Sequence, residues 1–221
     1  MNEAGREIAA GRDDTLMRLL AALLMPCLVV FPAHAATLSL DGSRWSVLYS
    51  RNCPASPSTV TVKGKTAWRL RIEGTCQPHY VLRPANDKVR AILKEPVSWL
   101  ALTMQIANAR LKSVQDGGTD TYATVMLQRR DDDLSGQGKY AHYRQWAFRH
   151  RIKLIDGTFT VTIPMDRTIW TGVWGKTAPA TAWEDLLANL DKIGVTLGGA
   201  SDGGHGVEGN ADIYMLEFKV N

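Results

Sequence analysis

The chain has 221 residues with 26 basic and 22 acidic side chains, a formal charge of +4, and is 45% hydrophobic and 22% charged. That balance, with 19 Gly and 9 Pro, excludes a disordered, collagen-like or multi-span membrane chain and describes a globular one.

From the N-terminus, Met17-Arg18 opens a basic stretch, residues 19–31 form an apolar run broken by Pro26, and Ala33-His34-Ala35 has the small-x-small form of a cleavage site. This is the layout of an export signal, with an apolar run too short for a comfortable membrane span. The acidic Glu3, Glu7, Asp13 and Asp14 ahead of it are foreign to such a leader and point to Met17 as the true start, an extended leader being the alternative. Leu24-Met25-Pro26-Cys27 approaches a lipoprotein box, but Pro26 and the apolar residues after it argue against lipidation. We therefore expect residues 1–35 to be a signal peptide cleaved near Ala35. Residues 36–221 are then a single periplasmic or secreted domain without a transmembrane segment.

Three basic and four acidic residues lie in 1–35, so the other 186 carry 23 and 18, a net charge of +5. That slightly favours anionic partners such as an acidic polysaccharide, a cell-wall polymer or a membrane surface, while export argues against nucleic acid. Cys27 belongs to the leader. Cys53 and Cys76 remain, and an even pair in an oxidising compartment reads as a disulfide.

Alternation of period two then recurs along the chain. Trp45, Val47 and Tyr49 share one strand face; Trp68, Leu70 and Ile72 share another, opposite Arg69, Arg71 and Glu73. Leu100, Leu102, Met104 and Ile106 form a stripe, residues 121–128 set Val125 and Leu127 against Thr124 and Gln128, and Phe159, Val161 and Ile163 alternate with threonines up to Pro164. The last strand sets Tyr214, Leu216, Phe218 and Val220 against Met215, Glu217 and Lys219. Turn residues such as Asp41-Gly42, Lys63-Gly64 and Asp156-Gly157 punctuate these runs. One helix is expected, capped by Thr181 with Glu184 three residues on, and carrying Trp183, Leu186, Leu187 and Leu190 at helical spacing. Many short strands with one short helix near the C-terminus predict an all-β protein, an antiparallel β-sandwich of jelly-roll type.

The order of elements over residues 183–221 is an amphipathic helix, the phrase Leu190-Asp191-Lys192-Ile193-Gly194-Val195, a Gly-rich loop and a closing strand. It resembles the C-terminal third of jelly-roll carbohydrate-binding modules of the galactose-binding-like superfamily. The resemblance implies the fold more than the ligand, because such sandwiches host many functions.

Residues 139–151 are the most informative for binding. On strand geometry Tyr140, His142, Arg144, Trp146, Phe148 and His150 share one face. A sugar lays its C–H face on an aromatic ring and offers hydroxyl or acid groups to planar or charged donors. The alternative has Trp146 and Phe148 enter the core with Arg144 at its rim. Trp170 and Trp174, among glycines at 172 and 175, suit an exposed stacking platform, or a cover over the sandwich's open end. Asp131, Asp133 and Ser135, with Gly136, follow the opening of a calcium loop, but the twelfth position is His142 in place of a bidentate Glu. A solvated hairpin tip accounts for the same residues at lower cost, so no cofactor is expected, calcium being the alternative. Ser201-Asp202-Gly203-Gly204-His205-Gly206 reads as a loop whose His205 reaches ligand only if the loop lies beside the concave face.

No H-E-x-x-H zinc helix is present, and the carboxylates are scattered. The expectation is an exported, non-catalytic carbohydrate-binding protein, with Tyr140, His142, Arg144, Trp146, Trp170 and Trp174 in contact with ligand. Two other classes stay open. One is a polysaccharide lyase or glycoside-hydrolase-like enzyme using the Tyr, His and Arg of residues 140–150. The other is an envelope protein that binds another protein through its tryptophan loop.

Overall fold

A computed structural model describes residues 35–200 and 205–221. The leader expected over 1–35 lies outside the described residues apart from Ala35, as do positions 201–204 of the Gly-rich loop.

The strands are β1 (Ala36–Thr37), β2 (Ser46–Leu48), β3 (Ser58–Val62), β4 (Lys65–Ile72), β5 (Tyr80–Pro84), β6 (Trp99–Ser113), β7 (Thr121–Arg129), β8 (Arg144–Lys153), β9 (Gly157–Pro164), β10 (Leu190–Gly199) and β11 (Val207–Val220). They form two sheets, β3-β4-β11-β6-β9, with β1 also paired to β11, and β2-β5-β10-β7-β8. Every pairing is antiparallel. The all-β sandwich expected from the alternation is the fold observed.

The two sheets face each other through the residues that the alternation selects. Leu100, Leu102, Met104 and Ile106 of β6 and Ala123, Val125 and Leu127 of β7 are buried in one core with Ile193, Val195 and Leu197 of β10. Each Leu, Ile, Val or Met among them, fully withdrawn from water, contributes about 1.5–3 kcal/mol. Trp45 packs against Trp68 at 5.8 Å and Phe218 at 6.2 Å between ring centroids. Cys53 and Cys76 form the expected disulfide, with Cα atoms 4.6 Å apart. No helix among the described residues is long and apolar enough to cross a membrane.

Four local expectations are corrected. A second helix, α1 (Asp87–Ile92), precedes the expected one. It is a short element whose Asn86 side chain accepts the Val89 N–H at 2.9 Å, and six residues are too few to show a period. The expected helix, α2 (Ala180–Ala188), starts one residue before Thr181, behind Pro179, and has no side-chain cap; Thr181 lies in its first turn. Tyr49 leaves the strand face it was expected to share with Trp45 and Val47: its φ is +49° and its ring is 58% exposed. On β11 the pairing register shifts between Met215 and Glu217, so Ile213 and Met215 point inward before the shift and Phe218 and Val220 after it. One extra residue in a strand reverses which face its side chains take, and Tyr214 and Leu216 therefore leave the core stripe.

Candidate functional site

The outer face of the sheet β2-β5-β10-β7-β8 carries a second apolar cluster, separate from the sandwich core. Leu82 of β5, Met126 of β7 and Trp146 of β8 form it, with Leu48, Tyr80, Phe148 and Val173 packed on them. Of these, Tyr80, Trp146, Phe148 and Val173 line a groove of about 800 Å³ between β8 and β2, with Tyr49 at the β2 end and Trp174 at the β8 end. His79, Gln115 and His205 line it from the neighbouring loops. An apolar floor rimmed by a few polar groups is the usual form of a ligand site.

Trp146 is 6% exposed, its ring stacked on Phe148 at 5.9 Å and 19°. Its indole N–H is buried and unpartnered among the described residues. The backbone of Trp146 exchanges hydrogen bonds with Thr171, at 2.9 and 3.0 Å, which fastens the next loop to the free edge of β8. From there the chain turns sharply, Gly172 donating to Lys176 O at 2.7 Å and Gly175 to Gly172 O at 3.1 Å. At the top of this turn Trp174 has φ +65° and ψ +24° and is 76% exposed. A non-glycine residue in the left-handed region costs on the order of 1 kcal/mol, so the surrounding turn must enforce it. The result is an indole held out over the groove. Gly136 lets the opposite loop close on this one: a Cβ there would meet Val173 Cγ1 at 2.5 Å.

Arg144 forms the polar part of the floor. Its guanidinium is 2.9 Å from Asp132 Oδ2 in a buried ion pair, donates to Leu134 O at 2.7 Å, and lies 5.7 Å from the Trp146 ring. Gln128 also donates to Asp132, at 2.9 Å. The pair thus ties the loop carrying Leu134 and Ser135 to β8. Burial raises the Tyr80 hydroxyl above its ordinary pKa, and the charge and hydrogen bond of Arg144 oppose part of that rise.

Of the expected site residues, the structure brings Arg144, Trp146 and Trp174 into the groove, joined by Ser135 and His205. Trp170 is a correction: it is 0% exposed, donates its indole N–H to Pro164 O at 3.0 Å and packs on Trp183 in the core. Tyr140 and His142 are a second correction. Residues Gly138–His142 form a 3-10 turn, β8 begins only at Arg144, and the two side chains do not line the groove. Tyr140 instead packs edge-on against Tyr143 at 5.1 Å. His150 drops out as well, because the register on β7 shifts between Trp146 and Arg151. The Tyr–His–Arg face that a lyase reading drew on is therefore not assembled on one strand.

In the calcium-like stretch, Asp132 is committed to Arg144, and Asp133 Oδ1 accepts from both the N–H and the hydroxyl of Ser135, at 2.9 and 2.7 Å. Asp131 has φ +61° at the hairpin turn. Among the described residues no group of three or more His, Cys, Asp or Glu side chains gathers to hold a metal ion. The letters G-x-S-x-G occur at residues 199–203, but the flanking elements are the strands β10 and β11, not the strand and helix of a nucleophile elbow.

Tyr49, His79, Tyr80, Gln115, Gly172 and Val173 also line the groove, and the sequence reading missed them. Gly172 and Val173 lie within the tryptophan–glycine stretch singled out for stacking; nothing local marked the others.

No protein-family model matches the sequence, and no curated protein matches it. Solved structures similar to it include a family 11 carbohydrate-binding module from Clostridium thermocellum in complex with a beta-1,3-1,4-mixed-linked tetrasaccharide, at 11% identity and a TM-score of 0.47, covering 84% of this chain and 94% of that one. The family 11 module of a cellulosomal cellulase from the same organism is similar at 12% identity and a TM-score of 0.42, covering 83% and 94%. A xylan-binding module (CBM15) is similar at 10% identity and a TM-score of 0.38, covering 84% and 94%. These are carbohydrate-binding modules, the class that residues 183–221 resemble. At such identities and scores the likeness says nothing of what this chain binds, and the groove's own residues carry that question.

Proposed function

We propose that this chain is an exported, non-catalytic carbohydrate-binding protein whose glycan lies across the sheet β2-β5-β10-β7-β8. The observation that carries the reading is Trp174, held 76% exposed in a left-handed backbone conformation at the rim of a groove floored by Trp146 and Phe148. Exposed indoles and phenyl rings supply faces for sugar C–H groups, and His79, Gln115, Arg144 and His205 supply hydrogen-bonding partners at the same groove. Among the described residues the lining holds no carboxylate, which favours an acidic or neutral polysaccharide over a cationic one. Glycoside hydrolysis by the usual route takes two carboxyl groups across the bond, so the described lining supports binding without cleavage. Export rests on the leader at residues 1–35, and N-terminal sequencing of the exported product should find a start at or close to Ala36.

A glycan array followed by titration tests the binding reading. Trp174→Ala should weaken glycan binding at least about tenfold, roughly the 1.4 kcal/mol of one stacked aromatic, with an unchanged melting temperature. Absence of binding to every glycan, or full binding by the variant, would overturn the reading. The exposed indole also suits a protein partner, and a pull-down from envelope extract that captures one partner specifically through Trp174, with the array empty, would favour that second reading. Appearance of unsaturated uronide absorbance would show lyase activity instead.

A further inference from the structure

The groove does not end at Tyr49. Tyr49 and His79 also line a second hollow of about 560 Å³, completed by Ser50, Arg51, Gln77, Val114 and Glu208. Its wall is fixed from two directions. Gln77 N–H donates to Arg51 O at 2.9 Å and Arg51 N–H to Gln77 O at 3.3 Å, and the Cys53–Cys76 disulfide joins the same two segments. The hollow is thus a built continuation of the groove, carried on a braced backbone.

Its charges are unequal. Glu208 is taken up by Lys112, 2.9 Å away, and by a hydrogen bond from the Gln77 amide, and these hold its carboxyl below the ordinary range. The Arg51 side chain is exposed and makes no ion pair and no hydrogen bond among the described residues. One guanidinium therefore remains to meet an incoming group. A planar guanidinium pairs with a carboxylate through two parallel N–H···O bonds, a geometry that neutral hydroxyls do not satisfy.

We infer that this hollow is a subsite for the carboxylate of a uronate, read by Arg51, on a polysaccharide whose neighbouring sugars occupy the aromatic groove. The inference rests on the carbohydrate reading above and names the class of glycan. The interaction is exposed at the rim, so it is sensitive to salt.

The test is titration of the purified protein with pectate, alginate and glucuronate-substituted xylan, each beside its carboxyl-reduced form. The acidic form of the bound polymer should bind at least about tenfold more tightly than its reduced form at low salt. Arg51→Gln should bring the two forms to within about twofold of each other, and Arg51→Lys should restore only part of the difference. Equal binding of acidic and reduced forms, an Arg51→Gln protein that keeps the preference, or binding confined to neutral glycans would overturn the subsite and leave the carbohydrate reading standing. Binding to no glycan of any kind would overturn both.

Discussion

Two residues show how closely the groove depends on the packing behind its surface. Gly172 has an ordinary extended φ of −80°, so its requirement is spatial. A Cβ there would lie 2.7 Å from Ala141 O, 2.8 Å from Gln145 Nε2 and 3.3 Å from His142 Nδ1. Gly172→Ala should therefore push the turn that carries Trp174 outward, destabilise the fold by about 1–3 kcal/mol and weaken glycan binding, as read by thermal melting and titration. Asp132 acts from beneath. Asp132→Asn leaves the Arg144 guanidinium buried without its counter-charge, and breaking one side of a buried pair costs about 3–5 kcal/mol. Thermal melting should show that loss, and an Asp132→Asn protein that melts with the wild type would refute the role given to the pair. The residue-level expectations divided on location: Trp146 and Trp174 line the groove, whereas Trp170, four residues from Trp174, is wholly buried in the sandwich core. Sequence spacing alone could not separate those two indoles, because the turn between them reverses the chain.

At the scale of elements, the decisive features are places where regular structure breaks. Strand β8 begins at Arg144, after a 3-10 turn, and its pairing with β7 slips beyond Trp146; the usable face is therefore Arg144, Trp146 and Phe148 and no longer. The bulge in β11 has the same character. Alternation was legible wherever a strand was regular, and lost wherever one residue was added, since a single insertion exchanges the two faces. The disulfide is the brace at the other end of the groove. A cross-link closing a loop of 23 positions contributes about 3 kcal/mol by chain-entropy reasoning. Replacing both cysteines by serine should lower the melting temperature accordingly, and should also weaken binding, because Tyr49, Arg51, Gln77 and His79 all lie on the joined segments. A variant that loses stability but binds as before would show that the brace serves the fold alone.

For the whole molecule, acid sensitivity follows from the carboxylates. Asp185 is held low chiefly by the hydrogen bond from Arg129, Glu208 by Lys112, Asp41 by the Ser43 hydroxyl, and Asp116 and Asp166 by the backbone N–H groups of Gly118 and Thr168. A carboxyl held low in the folded state stabilises it above the ordinary carboxylate pKa and loses that contribution as the pH falls through the folded-state value. Melting temperature should therefore be nearly flat from neutrality to about pH 5 and decline below about pH 4. The decline should be gentle, because these groups are largely exposed and solvent screens them. A melting temperature that rises on acidification would contradict the assignment.

The amino-acid order by itself determined the architecture and the disulfide. Burial of alternate side chains is a local, periodic property of a strand, and the two cysteines outside the expected leader have one way to pair with each other. The groove was decided by tertiary structure. Its floor is drawn from β5 and β8, over a cluster that β2 and β7 complete, its walls from loops whose backbone angles depend on what packs beneath them, and its extension past Tyr49 from a loop pinned across the disulfide. Those relations are set by packing between elements, and no repeat or motif along the chain records them.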